Sequence, residues 1–210
     1  MPRLSPAVAD RKRAHVQKAA LRCFLELGYH GTSVRDIAAA AKLSLGSVYT
    51  YFPDKLSLFA AVLEQLEADF LGGDSALFGY LATARFPDDL PALARALAAD
   101  ASRFRDYFKM IYLDVVEFDG AHVKEIFSRM EPKFRLVLGA RFEAVGKLGR
   151  RRRTDPGVAF VAVYLLFYQY FVLTGLFGAK QIFGRRSDEQ VVAELVELFL
   201  HGIAREGDAA

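Results

Sequence analysis

The chain has 210 residues, 53% of them hydrophobic and 25% charged, with a single cysteine. That composition is ample for a folded core and excludes a disulfide framework or a disordered whole. Its net charge of +3 hides an asymmetry: residues 1–58 hold nine Lys/Arg against four Asp/Glu, and the remainder nineteen against twenty-one. A basic head on a near-neutral body fits a module that meets phosphates joined to one that does not. No apolar segment with a small-residue cleavage site follows the N-terminus, so no signal peptide is expected, and the lone Cys23 is compatible with a reducing cytoplasm.

Apolar residues recur with helical period nearly throughout and never sustain a period of two, which predicts an all-α protein. Ser5 and Pro6 open a first helix carrying Val16, Ala19, Ala20, Cys23, Phe24 and Leu27, stopped by Gly28. Arg11, Lys12, Arg13 and Lys18 on its outer side either reach a DNA backbone or form a solvated face. Thr32 is the expected cap of a second helix with Val34, Ile37, Ala38 and Ala41 inward and Arg35 and Asp36 outward. After a turn at Lys42 and Leu43, Ser44 caps a third helix with Val48 and Phe52 inward. Pro53 ends that unit, and Asp54 caps a long fourth helix through Leu58, Phe59, Val62, Leu63, Leu66 and Phe70, which Gly72 and Gly73 end.

A partly helical connection is expected up to Pro91, then a helical run from Leu93 to Phe118 broken at Gly120. Another helix, about His122 to Val145, aligns Ile126, Met130, Phe134, Leu138 and Phe142 and is bent at Pro132. Gly146, Gly149 and the four arginines Arg150 to Arg153 form a loop, where the charges are read as solvated rather than as DNA contacts. Val158 to Phe177 holds no Asp, Glu, Lys, Arg or His. Its length allows a membrane span, but Gln169, Thr174 and Gly175 interrupt it and its tyrosines lie mid-helix instead of at the ends, so a buried helix is expected. A last helix starts at Ser187, with Asp188 and Glu189 in its first turn and Glu194 and Glu197 outward.

The third helix turns Leu45, Gly46, Ser47, Tyr49 and Thr50 outward, a small, hydroxylated and aromatic face suited to a DNA groove. Thr32, Ser33, Arg35, Ser44, Tyr49, Tyr51 and Lys55 are the candidates for phosphate contacts, and Leu45, Gly46, Ser47 and Thr50 for base edges. With no Arg, Asn or Gln on that face, specificity is expected to lean on spacing, backbone approach at Gly46 and DNA shape.

The string from Gly31 to Lys55 resembles the helix-turn-helix of the TetR family of bacterial regulators, matching its pattern at Thr32, Ile37, Ala38, Ser44, Gly46, Tyr49, Tyr51, Phe52, Lys55 and Leu58. Lys42 stands where the family commonly has Gly, and Leu56 where it commonly has an acidic residue. If the turn requires a left-handed residue, Lys42 carries strain on the order of 1 kcal/mol. The resemblance implies an N-terminal three-helix helix-turn-helix DNA-binding head, residues 1–53, and a C-terminal helical effector-binding and dimerisation body, residues 54–210. It further implies that the last two helices, about 156–178 and 187–205, pair with their twins as a four-helix bundle. Such a homodimer would read two half-sites about 34 Å apart or a multiple of that.

The same resemblance places an effector cavity among the aromatic residues of the body, with Phe104, Tyr107, Phe108, Tyr112, Phe127, Phe134, Tyr164, Phe167, Tyr168 and Phe171 as candidate lining and Arg141, Gln169 or tyrosine hydroxyls as polar anchors. No enzyme motif occurs, and the four dispersed histidines have no metal-ligand spacing, so neither catalysis, metal nor cofactor is expected. The expectation is a cytoplasmic repressor that binds a palindromic operator and is released by a small apolar or aromatic effector. The alternatives are an architectural DNA-binding protein without effector and a regulator anchored in the membrane by Val158 to Phe177.

Overall fold

The computed structural model describes residues 6–72, 75–83, 86, 89–126, 128 and 156–201. Most of the helix expected at 122–145, the arginine run 150–153 and three candidate residues, Phe127, Phe134 and Arg141, lie outside them. The elements are α1 (Pro6–Gly31), α2 (Val34–Ala40), α3 (Leu45–Tyr49), α4 (Lys55–Leu71), α5 (Ala76–Thr83), α6 (Leu90–Arg103), α7 (Arg105–Phe118), α8 (Pro156–Gly175), a 3-10 turn (Ala179–Phe183) and α9 (Asp188–His201). Among the described residues there is no strand, so the all-α expectation holds.

These helices fall into two compact units, one of residues 1–71 and 106–128, the other of 72–105 and 129–210. Compactness therefore groups α4 and nearly all of α7 with the three head helices, unlike the sequence division after residue 53. The chain leaves the first unit after α4, forms α5 and α6 in the second, and returns as α7.

In the first unit the apolar positions read from helical spacing form the core. Val16, Ala20 and Phe24 of α1, Ile37 of α2, Val48 of α3, Phe52, and Leu58 and Phe59 of α4 are all at most 2% exposed. Complete burial of the Val, Ile, Leu and Phe side chains among them contributes about 1.5–3 kcal/mol each. Cys23 is buried among them, and burial pushes its thiol above the ordinary range. Gly28 interrupts the helical geometry of α1 at φ +72, as its position predicts, and a last turn follows to Gly31. Aromatic rings join α1, α4 and α7: Phe24 lies edge-on to Phe59 at 5.3 Å, Tyr29 to Phe118 at 4.7 Å, and Phe59 meets Phe118 at 5.0 Å.

The helical run expected from Leu93 to Phe118 is two helices, broken at Phe104 where φ and ψ are −101° and 28°. The apolar period continues across the break and no Gly or Pro marks it. The break at Gly120 occurs as expected, with Asp119 and Gly120 both left-handed. Fully buried Asp114 then caps the helical stretch 121–126, taking the Val123 N–H at 3.0 Å and pairing with His122 Nδ1 at 2.6 Å.

The core of the second unit brings together Leu77 and Leu81 of α5, Leu90, Leu93 and Leu97 of α6, Phe160, Val163, Phe167 and Tyr170 of α8, and Val191 of α9. Within it, the carboxylate of Asp100, 3% exposed on α6, accepts the Ser75 hydroxyl at 2.6 Å and the N–H groups of Ala76 and Leu77 at 2.8 and 3.0 Å. A neighbouring helix thus supplies the anion that the first turn of α5 needs. The Tyr170 hydroxyl donates to Asp188 at 2.7 Å, joining α8 to the start of α9. Ser187 and Gln190 cap α9 reciprocally, as the expected start at Ser187 requires.

Candidate nucleic-acid interface

The recognition face depends on two short helices whose ends are fixed by their own side chains. In α2 the cap is Ser33, correcting the expectation of Thr32: the Ser33 hydroxyl accepts the Asp36 N–H, and the Asp36 carboxylate accepts the Ser33 N–H at 2.8 Å. These bonds hold the Asp36 carboxyl below its ordinary pKa. Thr32 is instead 1% exposed, its hydroxyl directed at the carbonyls of Gly28 and Cys23 at 2.7 and 3.0 Å. That hydroxyl ties α2 to the end of α1 and has no proton left for a phosphate.

α2 ends in a Schellman motif: the Lys42 N–H donates to Ala39 O at 3.0 Å and the Leu43 N–H to Ala38 O at 2.9 Å. The motif needs a left-handed residue, and Lys42 supplies it at φ +54, the strained geometry anticipated from its place in the turn. His15 Nε2 of α1 donates to Ala41 O at 2.8 Å, fixing the preceding peptide.

α3 is five residues long and capped by Ser44, whose hydroxyl accepts the Ser47 N–H at 3.2 Å and pairs with the Ser47 hydroxyl at 2.8 Å. Thr50 closes the other end, its hydroxyl donating to Gly46 O at 2.9 Å. Arg35, Ser44, Gly46, Tyr49 and Thr50 are exposed, and Leu45, Ser47 and Tyr51 are half-buried. A Cβ added at Gly46 would meet nothing within 4 Å, so the fold itself does not require a glycine there.

Lys55 does not present its charge outward. Its ammonium donates to Tyr29 O at 2.8 Å and Thr32 O at 2.9 Å and lies 4.1 Å from the centre of the Tyr29 ring. The residue read as a phosphate contact thus closes the C-terminal end of α1. At the start of the same helix, Asp54 accepts the Ser57 N–H at 2.6 Å, the cap expected of it, and its carboxyl is held below the ordinary range. Arg11, Lys12, Arg13 and Lys18 are exposed along α1, with the Arg13 guanidinium 5.0 Å from the Phe52 ring centre.

The described effector candidates are divided between the two units. Tyr107 and Phe108 belong to the first unit, at 5.5 and 6.1 Å from Phe70, and Tyr112 is on the same helix. Phe104, Tyr164, Phe167, Tyr168, Gln169 and Phe171 belong to the second. There Phe167 is wholly buried, Gln169 is exposed, and Tyr164 stacks on Tyr168 at 5.7 Å. Burial, with a smaller contribution from Asp100, pushes the Tyr164 phenol up to about 12, so it remains a hydrogen-bond donor at any physiological pH. A groove of about 500 Å³ in the second unit is lined by Ala76, Gly79, Tyr80, Thr83, Asp89, Ala92 and Ala96, none of them an effector candidate.

A short, doubly capped helix presenting small and aromatic residues beside a second short helix, on a basic three-helix scaffold, defines a helix-turn-helix DNA-binding domain. Residues 17–62 match the model of the bacterial regulatory proteins, tetR family. Through this domain the chain is similar to members of the TetR family. It is 42% identical over 62 residues to the transcriptional regulator RutR of Escherichia coli K12, a match covering 30% of this chain and 29% of that protein. The matched segments thus span about a third of the curated relatives' length. The fold extends further. The fatty acid degradation regulator FadR of Bacillus halodurans superposes with a TM-score of 0.65 at 17% identity over 97% of this chain and 100% of that one. AibR, solved with isovaleryl coenzyme A and operator DNA, does so with a TM-score of 0.59 at 21% identity over 89% and 97%.

Proposed function

We propose that the chain is a ligand-responsive transcriptional repressor that acts in the cytoplasm as a homodimer on a palindromic operator. The observation that carries this reading is the exposed face of α3, where Gly46, Tyr49 and Thr50 stand free of the protein core on a rigidly capped helix. Ser44, Leu45, Ser47, Tyr51 and Arg35 complete the proposed contact surface. Thr32 and Lys55 act beneath it by positioning α2 against α1.

A dimer is supported by α8. Its inner side is in the core of the second unit, yet Val158, Val161 and Leu165 remain 62, 47 and 53% exposed along one line of the helix, and Leu198 of α9 is 39% exposed. Val158–Gly175 is also long and apolar enough to cross a membrane. Pairing of α8 and α9 with their twins covers the same residues without removing the core side chains from their partners. The chain passes between the units after residue 71, before residue 106 and after residue 128, so an effector bound in the second can act on the head through three covalent links. It shifts the equilibrium only by its preference for one head arrangement. AibR, solved with isovaleryl coenzyme A, supports an effector that carries an apolar acyl group.

The test is selection from random duplex DNA followed by gel shift at moderate salt. A palindromic site is expected, with half-sites separated by about 34 Å or a multiple, and Tyr49→Ala should weaken all binding. Binding without sequence preference would instead indicate an architectural protein, and recovery of the chain only in detergent a membrane-anchored one.

A further inference from the structure

From Ile37 to Pro53, seventeen residues that include the whole turn and α3, the chain has one charged side chain, Lys42. The next cation along the chain, Lys55, is turned inward onto carbonyls. Lys42 is exposed, and no described residue takes its ammonium. Its backbone is fixed by the two Schellman bonds and, through the preceding carbonyl, by His15. It also stands at φ +54, where a glycine would be free of strain.

We propose that Lys42 is a phosphate-contact residue, bonding one wall of the groove that α3 enters. The proposal rests on the DNA-binding reading above. Lys42 stands two positions before the Ser44 cap, a Cα distance of at most about 7 Å. The N-terminal end of a recognition helix is the end that meets base edges, and the major groove is only about 12 Å wide. A lysine on a four-carbon stem at that distance reaches a phosphate bordering the groove. Because the turn is pinned, little backbone freedom is lost when the contact forms. A phosphate contact carries no sequence information, so Lys42 raises affinity for all duplexes alike.

The experiment measures binding of the full chain to a 30-base-pair duplex of random sequence by fluorescence anisotropy, at roughly 0.05 to 0.2 M salt. Lys42→Gly and Lys42→Asn remove the charge and suit a left-handed backbone. Both should keep or raise the unfolding midpoint while the slope of log K against log salt falls by about 0.9 per bound head. At 0.1 M salt that slope change corresponds to an affinity loss of about eightfold per head. Lys42→Arg, keeping charge and strained backbone, should retain the slope. Lys180→Gln, which removes an exposed charge in the second unit, should leave it unaltered. A wild-type slope in Lys42→Asn, or an equal fall in Lys180→Gln, overturns the proposal while DNA binding stands. If the unaltered chain binds no duplex at the lowest salt, the DNA-binding reading falls and the Lys42 proposal with it.

Discussion

Substituting Gly46 by alanine separates what α3 needs for folding from what it needs for DNA. Gly46 is the second residue of a five-residue helix, its φ is not left-handed, and a Cβ there meets no atom within 4 Å. Alanine loses less backbone entropy than glycine, which in a helix is worth roughly 0.5–1 kcal/mol. For a chain of this length that raises the midpoint of a cooperative unfolding transition by about 1–4 °C. The added methyl projects outward from the exposed face. If the Gly46 backbone approaches base edges, the methyl displaces α3 and costs about the value of one good base contact, 1–3 kcal/mol per head, or five- to 150-fold in affinity. Thermal unfolding followed by far-UV circular dichroism and anisotropy with the selected operator measure the two effects. A Gly46→Ala protein that is more stable and binds the operator as tightly as the parent would refute close approach at this residue. One that is less stable would refute the packing argument.

Asp100→Ala removes the acceptor of three hydrogen bonds in a site 3% exposed. A cost of about 3–5 kcal/mol is expected in urea unfolding, and Asp100→Asn should recover part of it. Lys55→Met should cost about 2–3 kcal/mol by freeing two carbonyls, yet leave the salt slope of DNA binding intact; a slope lowered by about one would show that Lys55 meets a phosphate. Asp36 and Asp54 have folded pKa values below their unfolded ones. Their contribution is therefore present above the unfolded value, near 4, and lost as pH falls through the folded values. The unfolding midpoint followed from pH 6 to 2 should fall less steeply for an Asp36→Asn, Asp54→Asn double variant, whose amides still cap; an unchanged acid limb would remove the carboxylates from the explanation.

Where a residue's partner lies within one helical turn, its role is legible in the sequence. The inward set Ile37, Ala38, Val48 and Phe52 follows from spacing, and the caps Ser44, Asp54 and Ser187 from their positions before apolar runs. The left-handed turn at Lys42 follows in the same way. The cap of α2 lies one residue beyond Thr32, and Ser33 with Asp36 three positions later carries its signal. Lys55 and Asp100 were not legible in their structural roles, because their partners lie 23 to 26 residues away and only tertiary structure brings them near. The break at Phe104 escapes for another reason. The apolar period is continuous across it, and the change is in which compact unit the helix joins.

The strained Lys42 and the inward-turned Lys55 bear on one question, how a recognition helix with no charge of its own is held on a polyanion. α3 contributes shape, hydroxyls and one tyrosine ring, which favour a groove but supply none of the counterion release that drives protein–DNA association. That contribution must come from cations around it, and the exposed ones among the described residues of the first unit are Arg35 on α2, Lys42 in the turn, Arg11, Lys12, Arg13, Lys18 and Arg22 on α1, and Lys124. Of these, Lys42 is joined to α3 by the shortest length of chain, and its turn is also bonded to α1 through His15. A cation there fixes the helix relative to the phosphates before any base is read. Discrimination then falls to Gly46, Ser47, Thr50 and Leu45. This division of labour predicts that substitutions at Ser47 or Leu45 alter which sequence is preferred with the salt slope unchanged, whereas substitutions at Lys42 alter the slope and leave the preference in place.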